Sequence, residues 1–205
     1  CITHGSLPEA SAGTGLSGAM SGRRVCEGCG RPQSVCLCSH LPSLQLPFQL
    51  IIWQDPLEAK HPLSTAPLLQ RMAAGSRLIV AEELSFADLF GDTPSAQVAL
   101  LYPADDIPPL PLEQARRSVS YVLVLDGTWR KVRRLTLLNP WLLRLQRLSL
   151  SPGQPSKYLR KSPRADGLST LEAVFSLADD WQSGQYAYAG AALLERMVEL
   201  QSGFV

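Results

Sequence analysis

Apolar and polar positions fall in blocks along the chain. The run Tyr121-Val122-Leu123-Val124-Leu125 reads as a strand buried on both faces, as in a parallel sheet. It stops at Asp126-Gly127-Thr128-Trp129, and a helical pattern follows from about 128 to Asn139-Pro140. Upstream, 48–53 reads as a second buried strand ending in the polar loop 54–62, and 77–81 and 97–101 read as two more. Helices are predicted after Ser64 or Thr65 as cap, with Pro67 tolerated in the first turn, at 85–90, and around 113–117. A further strand is expected at 147–150. Ser169-x-x-Glu172 is a capping box opening a helix that reaches about Trp181, and an amphipathic helix spans roughly 187–200. Strands alternating with helical segments indicate βαβ units: an α/β fold with a mainly parallel sheet and flanking helices.

Ligands of open α/β sheets bind beyond the carboxyl ends of the strands. Asp126 therefore sits where such a protein keeps its chemistry. The same residues also suit a plain turn, since Asp-Gly is a common turn pair and Thr128 a common helix cap.

Charge sharpens this picture. The chain has 205 residues and a formal net charge of only +1, but no Asp or Glu occurs between Gly127 and Ala165. That interval carries Arg130, Lys131, Arg133, Arg134, Arg144, Arg147, Lys157, Arg160, Lys161 and Arg164. Segregation of this kind directly after the candidate site strand favours a polyanionic partner, most plausibly nucleic acid, over a merely solvated face. With 45% hydrophobic residues the chain can build a core, yet no apolar run reaches the roughly 20 residues of a membrane span. No secretory pattern is seen, so a cytoplasmic location is expected and no membrane partner.

The segment Cys26-x2-Cys29-x6-Cys36-x-Cys38 places four thiols within thirteen residues. Without secretory features this spacing favours a structural zinc site over disulfides, and a redox pair or iron–sulfur cluster fits it less well. A site closed by four cysteines keeps no open coordination position, so its expected task is to fold and present a loop. His40 lies nearby and reads as a surface residue. Residues 1–22, rich in Gly, Ser and Ala, are expected to be disordered, 23–45 to form the zinc-binding segment, and 46–205 the catalytic domain.

Taken together, Asp126-Gly127-Thr128-Trp129, the cysteine cluster, Tyr102-Pro103, Ser156-x-Tyr158 and Gly167-Leu168-Ser169-Thr170-x-Glu172-Ala173 resemble, in their order, the DTW-domain family, over roughly residues 24–200. The resemblance implies a SPOUT-like fold with a C-terminal trefoil knot. It also implies transfer of the 3-amino-3-carboxypropyl group from S-adenosylmethionine to N3 of a uridine in tRNA. The chain departs from the family's usual Gln-His-Pro at Gln54-Asp55-Pro56 and from Tyr-x-x-Arg at Tyr158-Leu159-Arg160-Lys161.

Under that resemblance Asp126 is the catalytic candidate, accepting the N3 proton or orienting the base. Tyr102, Leu125, Thr128, Trp129, Leu168, Ser169 and Thr170 are the candidates for holding the cofactor, while Ser169 and Thr170 equally suit a helix cap. Arg130, Lys131, Arg133, Lys157, Tyr158, Arg160 and Lys161 are expected to meet RNA, Tyr158 also by stacking on a base. Two other readings use the same residues: a methyltransferase acting on RNA, and a non-catalytic RNA-binding module built on the zinc segment. Oligomeric state is left open.

Overall fold

The computed structural model describes residues 24–61, 64–102, 107–150 and 168–202. Five strands form one sheet: β1 (Gln49–Gln54), β2 (Arg77–Val80), β3 (Val98–Leu101), β4 (Tyr121–Asp126) and β5 (Gln146–Leu148). Their order is β2-β1-β4-β3-β5 and every pairing is parallel. The helices are α1 (Pro56–Ala59), α2 (Ala66–Met72), α3 (Phe86–Phe90), α4 (Leu112–Ser118), α5 (Trp129–Leu138), α6 (Thr170–Trp181) and α7 (Tyr186–Ser202).

The central strands are apolar throughout because both of their faces are covered. Alternate residues point to opposite sides. Leu50, Ile52, Ala99, Leu101, Val122 and Val124 pack with Leu68, Leu69 and Met72 of α2, Ala115 of α4, and the apolar faces of α6 and α7. Ile51, Trp53, Val98, Leu100, Leu123 and Leu125 pack with Leu89 and Phe90 of α3 and Val132 and Leu135 of α5. The α6–α7 crossing is close: a Cβ on Gly190 would lie 2.7 Å from Phe175 Cδ2. Cys29 and Leu37 belong to the α2/α6/α7 core, so the cysteine segment is packed onto the main body. No helix among the described residues is long and apolar enough to cross a membrane.

Two boundaries differ usefully from expectation. The strands predicted at 48–53 and 121–125 each run one residue further, to Gln54 and Asp126, and these two polar residues are ladder partners. Another difference is at α2, where Thr65 occupies the cap position without a side-chain capping bond; the hydroxyl of Ser64 is engaged elsewhere, as described below. The resemblance also implies a C-terminal trefoil knot; the connection 151–167 between β5 and α6 lies outside the described residues.

Strand order also locates a crevice. From β1 the chain leads outward to β2 at one edge, whereas from β4 it passes over β3 to β5 at the other. The connections that leave the adjacent strands β1 and β4 at their carboxyl ends thus run in opposite directions, the switch point where α/β sheets bind ligands.

Candidate active site and metal centre

Asp126 ends β4 at that switch point and is only 5% exposed. A carboxylate so placed needs donors, and two neighbouring elements supply them. Gln54 Nε2 donates to Asp126 Oδ2 at 2.7 Å, and Thr170 Oγ1 donates to Oδ1 at 2.5 Å. Gln54 Nε2 also donates to Ser64 Oγ at 2.7 Å. The Asp126 carbonyl accepts from the Asp55 N–H at 3.1 Å. Strand β4, the end of β1, the loop before α2 and the first turn of α6 are therefore joined through one carboxylate. Gln54, which reads from sequence as the start of a polar loop, is part of this site. The signal that could have found it is its place as the last polar residue of an apolar strand.

The start of α6 shows why Thr170 can reach inward. Ser169 and Glu172 form the predicted capping box, with the Glu172 N–H donating to Ser169 Oγ at 3.3 Å and the Ser169 N–H to Glu172 Oε2 at 2.8 Å. Ser169 thus has the capping role, Leu168 is half-buried beside it, and Thr170 is turned toward Asp126.

After Asp126 the chain turns tightly. A Cβ on Gly127 would stand 3.2 Å from Lys131 Cβ and 3.7 Å from Asp55 Cβ. Thr128 is the exposed N-cap of α5 but makes no side-chain capping bond. The Trp129 ring lies against Tyr102, centroids 6.2 Å apart, and the Arg147 guanidinium lies 5.6 Å from the centre of the Tyr102 ring. Aromatic groups from the end of β3 and from α5 thereby stand together at the carboxyl side of the sheet. Leu125 faces the core with its side chain, so it can offer a ligand only its main chain.

The basic helix is divided in use. Lys131 Nζ donates to Glu58 Oε2 at 3.0 Å, and Glu58 is 1% exposed. Arg134 pairs with Glu82 at 2.8 Å and lies 3.6 Å from the buried Asp55; the bond to Glu82 raises its pKa above the ordinary arginine value. Asp55 also caps α1, accepting from the Leu57 and Glu58 N–H groups. Arg130 and Arg133 are exposed. Lys157, Tyr158, Arg160 and Lys161 lie outside the described residues. Because the Lys131 ammonium faces a buried carboxylate, Lys131→Met is expected to lower stability by roughly 1–3 kcal/mol. Arg133→Met should stay within about 0.5 kcal/mol of the native value, as at other exposed positions. Urea unfolding of the two variants checks this; equal midpoints would remove the structural role of Lys131.

The four cysteines form the second centre. Their sulfurs all lie within 4.8 Å of one another, with Cys26–Cys38 at 3.5 Å and Cys29–Cys36 at 3.8 Å. These are free thiols, well beyond the S–S bond length of about 2.0 Å. They match instead the sulfur–sulfur edge of about 3.8 Å that a tetrahedron with Zn–S bonds of about 2.3 Å requires. Gly30 has φ +68, the left-handed turn that lets the first pair close, and Gly28 is pressed against Arg71 and Cys38 Sγ. The thiols already differ. Hydrogen bonds from the Cys29 backbone and from the neighbouring thiols lower Cys26 to about 6, whereas burial and the other thiols push Cys38 up to about 12. His40 is exposed and bonded to the Ser39 hydroxyl, and no other residue joins the cluster among those described.

A groove of about 500 Å³ lined by His40, Pro42, Leu44, Tyr188, Ala192 and Leu193 lies between the cysteine segment and α7. It shares no residue with the surroundings of Asp126, so its size does not make it the site of chemistry.

Comparison with known proteins gives the chain a family. The family profile for the DTW domain matches residues 23–202. A protein of Drosophila melanogaster named tRNA-uridine aminocarboxypropyltransferase 2 is 36% identical over 163 residues, covering 74% of this chain and 64% of the relative. The Mus musculus protein of the same name is 29% identical over 165 residues, covering 74% and 54%. The Arabidopsis thaliana tRNA-uridine aminocarboxypropyltransferase A is 26% identical over 141 residues, covering 60% and 53%. The chain thus spans little more than half to under two thirds of these relatives' length. No solved structure matches. With its profile match running from the cysteine segment through α7, the chain belongs to the DTW domain family.

Proposed function

We propose that this protein transfers the 3-amino-3-carboxypropyl group of S-adenosylmethionine to N3 of a uridine in tRNA. The observation that carries the reading is Asp126: a buried carboxylate at the switch point of a parallel sheet, its rotamer fixed by donors from two other elements. The names of the relatives support the substrate class.

The sulfonium donor offers three electrophilic carbons, and the product depends on which one stands in line with the nucleophile. Uridine N3 carries a proton that must leave before or during attack. Asp126 is the acceptor within reach of the crevice, and Gln54 and Thr170 hold its carboxylate in one plane for that task. The N3–carbon bond forms as the carbon–sulfur bond breaks, the proton passes to the carboxylate, and the sulfur leaves as a neutral thioether. Tyr102 and Trp129 wall the cofactor's side of the site, with Leu125, Thr128, Leu168, Ser169 and Thr170 supplying main-chain or hydroxyl groups.

For RNA, the exposed Arg130 and Arg133 of α5 are the phosphate contacts among the described residues, joined by Lys157, Tyr158, Arg160 and Lys161. Lys131 serves the fold through Glu58. The cysteine cluster holds structural zinc, because four thiolates in a tetrahedral set leave no site for a substrate.

Intact-mass analysis of unmodified tRNA incubated with protein and S-adenosylmethionine tests the reading. A gain of about 101 Da is expected, the formula difference for the aminocarboxypropyl group. A gain of about 14 Da would make the protein a methyltransferase. No gain and no cofactor binding would remove the enzyme reading altogether.

A further inference from the structure

Arg147 is a buried cation with an N–H left over among the described residues. It is 2% exposed and sits on edge strand β5 opposite Leu100, a position where an apolar side chain would pack against the same core. Its Nη1 donates to the Leu142 carbonyl at 2.9 Å, and Nε is buried without a hydrogen-bond partner. No carboxylate pairs with it among the described residues. Burial pulls its pKa below the ordinary arginine value. A guanidinium left this way costs stability that a Leu or Met would not. Contact with the face of Tyr102 offsets only part of that cost. A buried guanidinium with an N–H left over offers an anion a place to bind.

The surroundings say which anion. Arg147 lies against Tyr102, Tyr102 against Trp129, and Trp129 begins the helix three residues after Asp126. The cation is thus held on the aromatic pair at the carboxyl side of the sheet. Under the cofactor reading proposed above, on which this inference rests, the group to be transferred ends in the donor's one carboxylate. Anchoring that end would decide which carbon of the sulfonium faces the nucleophile.

We propose that Arg147 is the anion anchor of the site and takes the α-carboxylate of the aminocarboxypropyl group, its planar fork matching a carboxylate as a lysine would not.

The test compares two ligands on the full chain by titration calorimetry: S-adenosylmethionine, and methylthioadenosine, which lacks the aminocarboxypropyl arm. Arg147→Met is expected to weaken the first by about tenfold or more while leaving the second within about threefold, with Arg147→Lys in between. The native protein, which needs no variant to fold, should bind decarboxylated S-adenosylmethionine about tenfold more weakly than the intact cofactor. Equal losses for both ligands in Arg147→Met would mean that Arg147 only supports Tyr102, and would overturn the proposal. So would an unchanged affinity for S-adenosylmethionine, or a loss seen only in RNA affinity, which would assign the cation to phosphate. If the native protein binds neither ligand, the cofactor reading itself fails, a result distinct from native binding that Arg147→Met leaves intact.

Discussion

Asp126→Asn should abolish most transfer, by about 10²–10⁴-fold in kcat, while the protein remains folded and still binds cofactor. The fold survives because the substituted side chain still accepts from Thr170 through its carbonyl oxygen. Gln54 can turn its own carbonyl toward the new amide, and the Ser64 hydroxyl rotates to suit. A second variant separates charge from architecture. Gln54→Glu combined with Asp126→Asn restores an amide–carboxylate bond between β1 and β4 but moves the carboxylate to the wrong strand. It should melt close to the native temperature and remain inactive. Gln54→Glu alone sets two carboxylates at the 2.7 Å now occupied by a hydrogen bond and should be the least stable of the set. Activity near the native level in the double variant would show that Asp126 is architectural.

Loss of the metal should have the second large effect. The purified protein is expected to carry one zinc per chain by elemental analysis, and a strong chelator or Cys29→Ser should lower the melting temperature well beyond a surface substitution. Structural zinc contributes on the order of 10 kcal/mol of apparent binding free energy in small zinc domains, and here that energy acts on the shared core. Cys29 and Leu37 are buried with residues of α2, α6 and α7. Slackening that core loosens α6, whose Thr170 hydroxyl reaches Asp126. Cofactor affinity should therefore fall together with stability. A protein that releases its zinc and melts unchanged would reduce the cysteine segment to a surface appendage.

Local features of this arrangement are readable from residue order, and remote pairings are not. The run 121–125 announces a doubly covered strand because both of its faces are apolar. The Ser169–Glu172 box marks the start of α6 because both of its bonds are local. The spacing of the cysteines is enough to suggest their cluster. The order β2-β1-β4-β3-β5 leaves no local trace, since β1 and β4 meet only through a register chosen by packing. For the same reason Gln54 reads as loop, and nothing near Lys131 in the sequence announces its ion pair with Glu58, 73 residues away. Arg147 counts as one more cation because burial cannot be seen in a charge.

The strand order also bears on how the chain assembles its candidate site. β3 and β4 are close in sequence and can pair early, while β1 must find β4 across a long intervening stretch. Gln54 and Asp126 stand 72 residues apart. Closing so large a loop costs entropy before any non-local contact returns it, which slows folding. The Gln54 donor to the Asp126 carboxylate arrives only when the central ladder closes, so partly folded chains can bury much of their apolar surface and still lack the assembled site. Assembly of the candidate site is coupled to completion of the sheet.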